Sequence, residues 1–427
     1  DVDNSCRFNA SDTSLTKSIS STNTSWTVSL WVKRAKLGAT QYMISWGDSG
    51  VTNGIGFSSA DKFQYFSEAT SSTIATAAAY RDPSAWYHLV AKNSSGTITL
   101  YVNGVAITTT GGTSGSALSS STFRIGGYQG GGLIFGGYMS EVCFIDSSAL
   151  NPTSFGEFDS DSPTIWKPID VSGLTFNTDG FYCDFEASAN LGNDANGGTD
   201  LDEDNIAAAD QASDSPTNNF ATINPLDNFY ANATLSEGNL KMVSGSSREC
   251  SSTATIALSN GKWFWEYEVT TFSAPFGGIQ PIPSFGNTAS AAVLQTNGLG
   301  YLKTGKVETT DGSGGSTELA SYATYAVNDI IGVALDLDAG TNIIYFYKNG
   351  ALQGSGVNLT HVDSTANGHY LIAFGAVSGQ DTFEINFGNP ITALDSANAD
   401  ANGYGAFEFA VPSGFFSICT KNLAEYG

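Results

Sequence analysis

The sequence predicts an all-β protein built from two antiparallel β-sandwiches that are joined by an irregular connector. Apolar and polar residues alternate in one short segment after another, which is the pattern of half-buried strands. Helical periodicity is almost absent, and Gly, Asn and Asp separate the alternating segments. The length of 427 residues allows two or three domains, at roughly 100–200 residues for each domain.

Residues 1–158 form the first predicted sandwich. Residues 25–34 place Trp26, Val28 and Leu30 on one face of a strand, and similar alternation follows at residues 86–92 and 138–146. Asn103-Gly104 follows an alternating segment, and this dipeptide favours a type I′ hairpin because both central residues need positive φ. We therefore expect a β-hairpin at this position.

Residues 159–228 have few regular patterns and form the predicted connector. One segment, 180–188, alternates like a strand, and we expect it to return to the first sandwich. The stretch 193–204 is acidic and rich in Gly and Asn, as an irregular connecting segment would be.

The second predicted sandwich spans residues 229–390. Residues 262–270 alternate strongly, and residues 343–350 end in a second Asn-Gly dipeptide that predicts another hairpin. Residues 391–427 form an aromatic and Gly-rich tail, which we expect to pack on the preceding sandwich.

Two known folds are matched by these strands. Residues 8–158 resemble the laminin-G-like, concanavalin A-like lectin/glucanase jelly roll, and the resemblance rests on residues 26–32, 86–90, 100–104, 125–127 and 138–142. Residues 229–390 resemble a SPRY domain, and that resemblance rests on residues 262–266, 329–336, 344–350 and 383–388.

The setting of the two modules is suggested by two further segments. Residues 214–226 and 412–423 look like elements that accompany this pair of modules in bacteriophage virion proteins, especially marine ones. The resemblance implies a tail-fibre-like protein at the virion surface, outside the cell. Because virion appendages are commonly symmetric, it also implies a homo-oligomer, with a trimer favoured.

Composition limits the class of partner. With 17 Lys+Arg and 41 Asp+Glu, the formal net charge is −24. Nucleic acids and anionic membrane surfaces attract basic proteins, so neither is an expected partner. The sequence also has no stretch of the ~20 apolar residues that a membrane-spanning helix needs.

Glycan binding needs aromatic faces and hydrogen-bonding side chains on loops that a rigid scaffold holds. Trp46, Asp48, Asn53 and Tyr128 are the candidates, whereas Trp31 and Trp86 are assigned to the core. The Gly-rich stretch 126–137 is either a ligand-approach loop or simply a wide loop.

Protein contacts are implied for the second half, because SPRY domains bind peptides or proteins through loops at one end of the sandwich. Residues 272–285 form an apolar, Pro/Gly-rich loop, with Phe272, Phe276 and Phe285 as contact candidates. Packing within the chain is the alternative role for this loop.

Calcium is the one metal that the sequence suggests. Asp200, Asp202 and Asp204 alternate, and Ca²⁺ takes 6–8 oxygen ligands. The tract departs from an EF-hand, so the choice is between an irregular Ca²⁺ site and a solvated acidic loop. The laminin-G resemblance adds a rim site, for which Asp48 and Asp146 are candidates.

Catalytic patterns are weak, so we expect no enzyme. The close acidic pair of a glucanase strand is missing, and Glu141, Glu266 and Glu268 are the nearest candidates. There is no G-x-S-x-G elbow, and His88, His361 and His369 form no cluster.

Three hypotheses remain. The first is a non-enzymatic virion-surface protein that attaches to host glycans or contacts other virion proteins. The second is a decoration or assembly protein whose sandwiches contact only neighbouring subunits. The third is a secreted carbohydrate-active enzyme or its carbohydrate-binding module.

Overall fold

The computed structural model describes the chain except for residues 49–50, 120, 231–232, 246–249, 272, 282–296, 311–314, 362–367 and 377–378. The chain divides into two compact units, residues 1–218 and 219–427. Antiparallel sheets dominate both units, so the predicted all-β class is confirmed. Within the described residues, no helix has the length and apolar character that crossing a membrane requires.

The first unit contains two eight-stranded sheets and a two-stranded hairpin. In chain order its strands are β1 Ser5–Asn9, β2 Ser14–Ile19, β3 Trp26–Arg34, β4 Gln41–Asp48, β5 Val51–Phe57, β6 Phe63–Ser67, β7 Ser72–Thr76, β8 Trp86–Ser94, β9 Thr97–Val102, β10 Val105–Ala106, β11 Thr109–Thr110, β12 Ser121–Ile125, β13 Gly136–Asp146, β14 Gly156–Phe158, β15 Trp166–Pro168, β16 Phe181–Cys183, β17 Asp202–Asp204 and β18 Gln211–Ala212.

Sheet A runs in the order β10-β9-β8-β3-β13-β1-β18, and β16 pairs with β13. Sheet B runs in the order β11-β7-β6-β5-β4-β12-β2-β17. Their inner faces bury one apolar cluster, because the alternating strands send every second side chain inward. Trp26 and Trp46 lie at its centre with their ring centroids 5.0 Å apart.

The outer face of sheet A is covered by residues that follow β13. Phe155, Val171 and Phe176 are buried in a second apolar cluster together with Val90 and Cys143. The segment predicted to be part of a connector therefore supplies apolar cover for the first unit.

A buried ion pair near residue 214 helps to define where the first unit ends. The Lys33 ammonium lies 2.6 Å from the Asp214 carboxylate, and both side chains are almost wholly buried. The indole N–H of Trp86 also donates to Asp214, over 2.9 Å. This pairing, with β17 and β18, places residues up to 218 in the first unit, whereas the sequence predicted a connector from 159 to 228.

The second unit contains two seven-stranded sheets and a small hairpin. Its strands are β19 Ile223–Tyr230, β20 Thr234–Ser236, β21 Lys241–Val243, β22 Cys250–Leu258, β23 Lys262–Thr271, β24 Pro275–Gln280, β25 Leu299–Leu302, β26 Lys306–Thr310, β27 Ser316–Ser321, β28 Ile330–Asp336, β29 Ile343–Lys348, β30 Ala351–Asn358, β31 Tyr370–Ala376, β32 Thr382–Asn386, β33 Asn398–Ala399 and β34 Ala406–Phe407, and one helix follows, α1 Thr420–Tyr426.

Sheet C has the order β19-β22-β31-β24-β25-β26-β27, and sheet D has the order β20-β21-β32-β23-β28-β29-β30. The apolar core between the two sheets includes the buried side chains of Trp263, Trp265 and Tyr267. The C-terminal segment packs on the outer face of sheet D, where Phe407 and Phe415 join a smaller apolar cluster.

Candidate functional site

Trp46 does not lie in a binding loop. It belongs to β4, has no exposed surface, and stacks on Phe123 with ring centroids 5.3 Å apart and planes 4° apart. A ligand cannot reach this ring, so the assignment of Trp46 to a glycan site is wrong. Strand alternation places Trp46 on the same inner face of β4 as Ile44, and both side chains belong to the core between the sheets.

Asn53 is also part of the interior. It is 2% exposed, and its Oδ1 accepts a hydrogen bond from the Ser116 hydroxyl over 3.0 Å. Its assignment as a ligand contact is therefore wrong. Asp48 is the last residue of β4, and its side chain lies outside the described part of the structure.

Tyr128 is partly exposed and takes part in a group of aromatic rings. Its ring lies 5.5 Å from that of Tyr42, and the Tyr42 ring lies 6.3 Å from that of Phe66. Tyr42 is the second residue of β4 and Phe66 belongs to β6, and neither is a member of the core between the sheets. We call Tyr42, Phe66, Tyr128 and the neighbouring Glu68 the aromatic patch.

Glycine on β5 makes room for the patch. A Cβ atom at Gly54 would come within 2.6 Å of the Tyr42 ring, so the ring rests directly on the backbone of β5. Gly54 is paired with Phe66 across the strands. The aromatic rings therefore lie on the face of sheet B that points away from the core, with the Tyr42 plane inclined by 62° to that of Phe66 and by 45° to that of Tyr128.

Glu68 is exposed but held in place at the edge of the patch. Its Oε2 accepts a hydrogen bond from the Thr52 backbone N–H over 2.6 Å, and its Oε1 accepts one from the Tyr128 hydroxyl over 3.2 Å. Burial, with smaller contributions from Tyr128 and Glu68, raises the pKa of Tyr42 to about 12. Tyr42 is thus neutral at physiological pH.

Such an arrangement suits a neutral, hydroxyl-rich ligand. Aromatic faces contact apolar C–H surfaces, and a fixed carboxylate accepts hydrogen bonds from hydroxyl groups. Of the predicted ligand-binding residues whose side chains the structure describes, only Tyr128 lies here. Tyr42, Phe66 and Glu68 were missed, although the Phe-x-x-Phe spacing of residues 63–66 and the glycines of β5 were visible in the sequence.

A second candidate site surrounds Glu141. This residue has φ of +52° at a β-bulge in β13, where the pairing with β3 shifts between Ser140 and Cys143. The bulge directs the side chain into a cavity of about 570 Å³, whose lining includes Asp184, Glu186 and Lys167. Non-glycine residues with positive φ are uncommon and concentrate at functional sites.

The Glu141 carboxyl group accepts a hydrogen bond from the Tyr182 hydroxyl over 2.7 Å. Burial raises its pKa to about 7, against the lowering effect of that hydrogen bond. A carboxyl group with such a pKa can both donate and accept a proton near neutral pH.

The three aspartates of the acidic tract are not brought together as metal ligands. Asp200 accepts hydrogen bonds from the Asp194 N–H and the Asn190 amide, whereas Asp202 and Asp204 are exposed on β17. Within the described ranges, no three His, Cys, Asp or Glu side chains are grouped to hold a metal ion. Asp146, the rim candidate, accepts hydrogen bonds from the Ser21 hydroxyl and Asn23 amide instead.

The predicted protein-contact loop is only partly described. Phe276 belongs to β24 and is 2% exposed, so its assignment as a contact residue is wrong. It packs with Ala373 of β31 and Leu302 of β25, the strands on either side of β24. Phe272 and Phe285 lie outside the described residues.

Comparison with known protein families supports the predicted resemblance of the first sandwich to the concanavalin A-like lectin/glucanase fold. Residues 8–154 match the family model of the concanavalin A-like lectin/glucanases superfamily. The matched segment covers about a third of the chain and includes the whole aromatic patch. No curated protein matches the chain.

Parts of the chain are similar to several solved structures. The SPRY domain of human HERC1 is 15% identical, with 38% of this chain and 96% of that chain covered, at a TM-score of 0.29. A putative carbohydrate binding protein from Bacteroides ovatus is 16% identical, with coverage of 48% and 60%, at a TM-score of 0.34. Domain 4 of an extracellular arabinanase from Geobacillus stearothermophilus, solved with arabinotriose, is 20% identical, with coverage of 32% and 65%, at a TM-score of 0.26.

Proposed function

We propose that the chain is a non-enzymatic surface protein whose lectin-like first unit binds neutral glycans through the aromatic patch. The observation that carries the proposal is the pair of partly exposed rings, Phe66 and Tyr128, that pack on the buried Tyr42 ring beside Glu68, whose carboxylate the Thr52 N–H fixes. The family match over residues 8–154 supports it. The net charge of −24 disfavours anionic glycans, because like charges repel.

The biological setting that we propose is the surface of a bacteriophage virion, where the protein attaches to host glycans or to other virion proteins. The support is the resemblance of residues 214–226 and 412–423 to segments of tail-fibre-like proteins. A homotrimer fits such an appendage. Sedimentation equilibrium of the full chain tests this, and a monomer at micromolar concentration would contradict it.

A glycan array tests the binding site. We expect the full chain to bind neutral glycans and Tyr128→Ala to weaken that binding by about tenfold, since an aromatic contact contributes roughly 0.5–1.5 kcal/mol. Tyr128→Phe keeps the ring and loses only the hydrogen bond to Glu68, so it should retain most of the affinity. Tyr404→Ala removes an exposed tyrosine of the second unit and serves as the matched control.

Two results would contradict the glycan proposal. One is the absence of binding to any glycan or host cell by the wild-type chain. The other is equal loss of binding in Tyr128→Ala and Tyr404→Ala, because the aromatic patch would then have no special role.

Glycoside hydrolysis is a second candidate function, and the Glu141 cavity is the observation that favours it. A carboxyl group with a pKa of about 7 is suited to act as a general acid, and other carboxylates line the same cavity. If this function holds, Glu141→Gln should reduce release of a chromogenic aryl glycoside's leaving group by at least about 100-fold. Wild-type protein without hydrolytic activity would eliminate it and leave the binding function.

A further inference from the structure

The outer face of sheet D has two halves of different character. In one half, Phe264 and Ala334 pack against Phe407 and Phe415 of the C-terminal segment. The other half is polar and forms the floor of a cavity of about 410 Å³. The aromatic patch and the Glu141 cavity belong to the other unit, so this cavity is a separate site.

The floor is built from side chains that face each other across three strands. Glu268 on β23 lies directly opposite Glu384 on β32 and opposite Ile330 on β28. Glu266, two residues earlier on the same face, lies opposite Asn386. Strand pairing, and not loop conformation, therefore sets the positions of these groups.

One wall of the cavity is the C-terminal segment, which Glu266 holds in place. The Glu266 Oε2 accepts a hydrogen bond from the Glu408 N–H over 2.8 Å, and its Oε1 accepts one from the Phe409 N–H over 3.0 Å. Residues 390–395 form another wall, and the Asp395 N–H donates to the Glu408 carboxylate over 2.9 Å. The cavity thus has fixed walls as well as a fixed floor.

The charge of the lining has one sign. Among the described lining residues there is no Lys or Arg, and the acidic members are Glu266, Glu268, Glu384, Asp395 and Glu408. Lys241 pairs with Glu384 over 2.8 Å, and Lys348 pairs with Asp329 beside the cavity over 3.0 Å.

Within the described residues, Glu268 has no Lys or Arg partner. In the described part of the chain, its carboxylate makes neither a hydrogen bond nor an ion pair, although the residue is half-buried. Burial raises its pKa, and the charge of Glu384 raises it further. Like charges directly opposite each other on neighbouring strands destabilise a sheet, and a cation between them removes that cost.

We propose that this cavity binds an organic cation, with an alkylammonium or guanidinium group at Glu268 and Glu384 and its alkyl arm against the apolar lining residues Ile330, Ile391 and Leu394. A neutral ligand would leave the Glu268 charge uncompensated, and an inorganic cation would leave the apolar lining unused. The chemistry is that of a lysine or arginine side chain, a polyamine or an amino sugar.

Calorimetric titration of the full chain with n-butylammonium tests the proposal. We expect saturable binding that the neutral isostere 1-butanol does not reproduce. Glu268→Gln should weaken binding by about tenfold or more, because a hydrogen bond between two charged groups is stronger than one to a neutral amide. The control Glu318→Gln, an exposed carboxylate on β27, should leave the affinity unchanged.

Folding of the Glu268→Gln variant is not at risk, because the change removes a repulsion and leaves the Lys241–Glu384 pair intact. Its denaturation midpoint should equal or exceed that of the wild type. Equal affinity for butylammonium and 1-butanol, or unchanged affinity in Glu268→Gln, would overturn the proposal. Filling the cavity with Leu394→Trp should also abolish binding, and retained binding in that variant would overturn it equally.

The source of the cation follows from a second set of titrations. Blocked lysine and arginine peptides, agmatine and D-glucosamine present the same cationic chemistry on different scaffolds, and the tightest of them identifies the class of ligand. Tyr128→Ala should not change any of these affinities, so the outcome is independent of the glycan proposal.

Discussion

His88 is a buried base that the folded first unit keeps neutral. Its Nδ1 accepts a hydrogen bond from the Trp166 indole N–H over 2.9 Å, so the ring proton lies on Nε2, which donates to the Ser29 hydroxyl over 2.8 Å. Burial lowers the pKa of His88 to about 3. The imidazole therefore has a structural role in joining β8, β3 and β15.

The titration of His88 predicts a pH dependence of stability. Below its ordinary pKa of 6.5 the unfolded chain binds a proton that the folded chain does not, so the folded state loses stability as the pH falls from 6.5 towards 3. The contribution is about 1.4 kcal/mol per pH unit. In urea unfolding between pH 6 and pH 4, His88→Gln should show a slope smaller by that amount, and identical slopes would contradict the prediction.

Lys33 and Asp214 form another buried pair whose loss should be costly. Lys33→Met leaves the buried Asp214 carboxylate without its ammonium partner, and breaking such a pair costs roughly 3–5 kcal/mol. Equilibrium denaturation measures this. Lys36→Met, at an exposed position two residues beyond β3, should change the free energy of unfolding by less than about 0.5 kcal/mol.

Single residues also show where sequence reasoning fails. Trp46 and Tyr42 are four positions apart, so strict alternation would place both on one face of β4. A β-bulge between Tyr42 and Ile44 shifts the register, and Tyr42 lies on the outer face while Trp46 points into the core. Bulges depend on the neighbouring strand, so the alternation of β4 alone could not reveal the aromatic patch.

At the scale of elements, the turn residues alone were sufficient to predict two hairpins. The predicted hairpins at Asn103-Gly104 and Asn349-Gly350 are confirmed, with φ of 48° and 79° in the first and 47° and 75° in the second. Both dipeptides supply the positive φ of a type I′ turn without help from distant residues. Such elements are predictable because their cause lies within the turn itself.

Gly350 should tolerate no side chain. Its φ of 75° disfavours alanine, and a Cβ atom would come within 2.8 Å of the Phe409 ring. Gly350→Ala should therefore destabilise the chain by about 1–3 kcal/mol in equilibrium denaturation. Gly340 has open space around it and no positive φ, so Gly340→Ala should have little effect, and equal effects of the two changes would contradict the prediction.

At the scale of the whole molecule, the fold class was predictable and the division between the units was not. Alternation and turn residues are local, and they indicated two sandwiches. The boundary after Asn218 depends instead on long-range pairs, such as β18 with β1 and Lys33 with Asp214, that no local pattern in residues 159–228 announces.

The division at residue 218 predicts which fragments fold. A fragment of residues 1–218 should unfold cooperatively, because it retains both sheets and the cover of sheet A. A fragment of residues 1–158 loses β15, β16, β17 and β18 and exposes the apolar cluster around Val90, so it should be insoluble or only partly folded. Circular dichroism and gel filtration of the two fragments measure this, and a stably folded 1–158 fragment would contradict it.

The acidic tract affects whether neighbouring copies of the protein can pair through the edges of their sheets. Its strand β17 forms the last position of sheet B, and Asp202, Glu203 and Asp204 are all exposed there. An open strand edge is a template for pairing with another chain, and charge on the edge prevents this. In a crowded array of identical copies, the three carboxylates on this edge repel the same edge of a neighbouring molecule. Sheet B is therefore not extended by a strand of another copy.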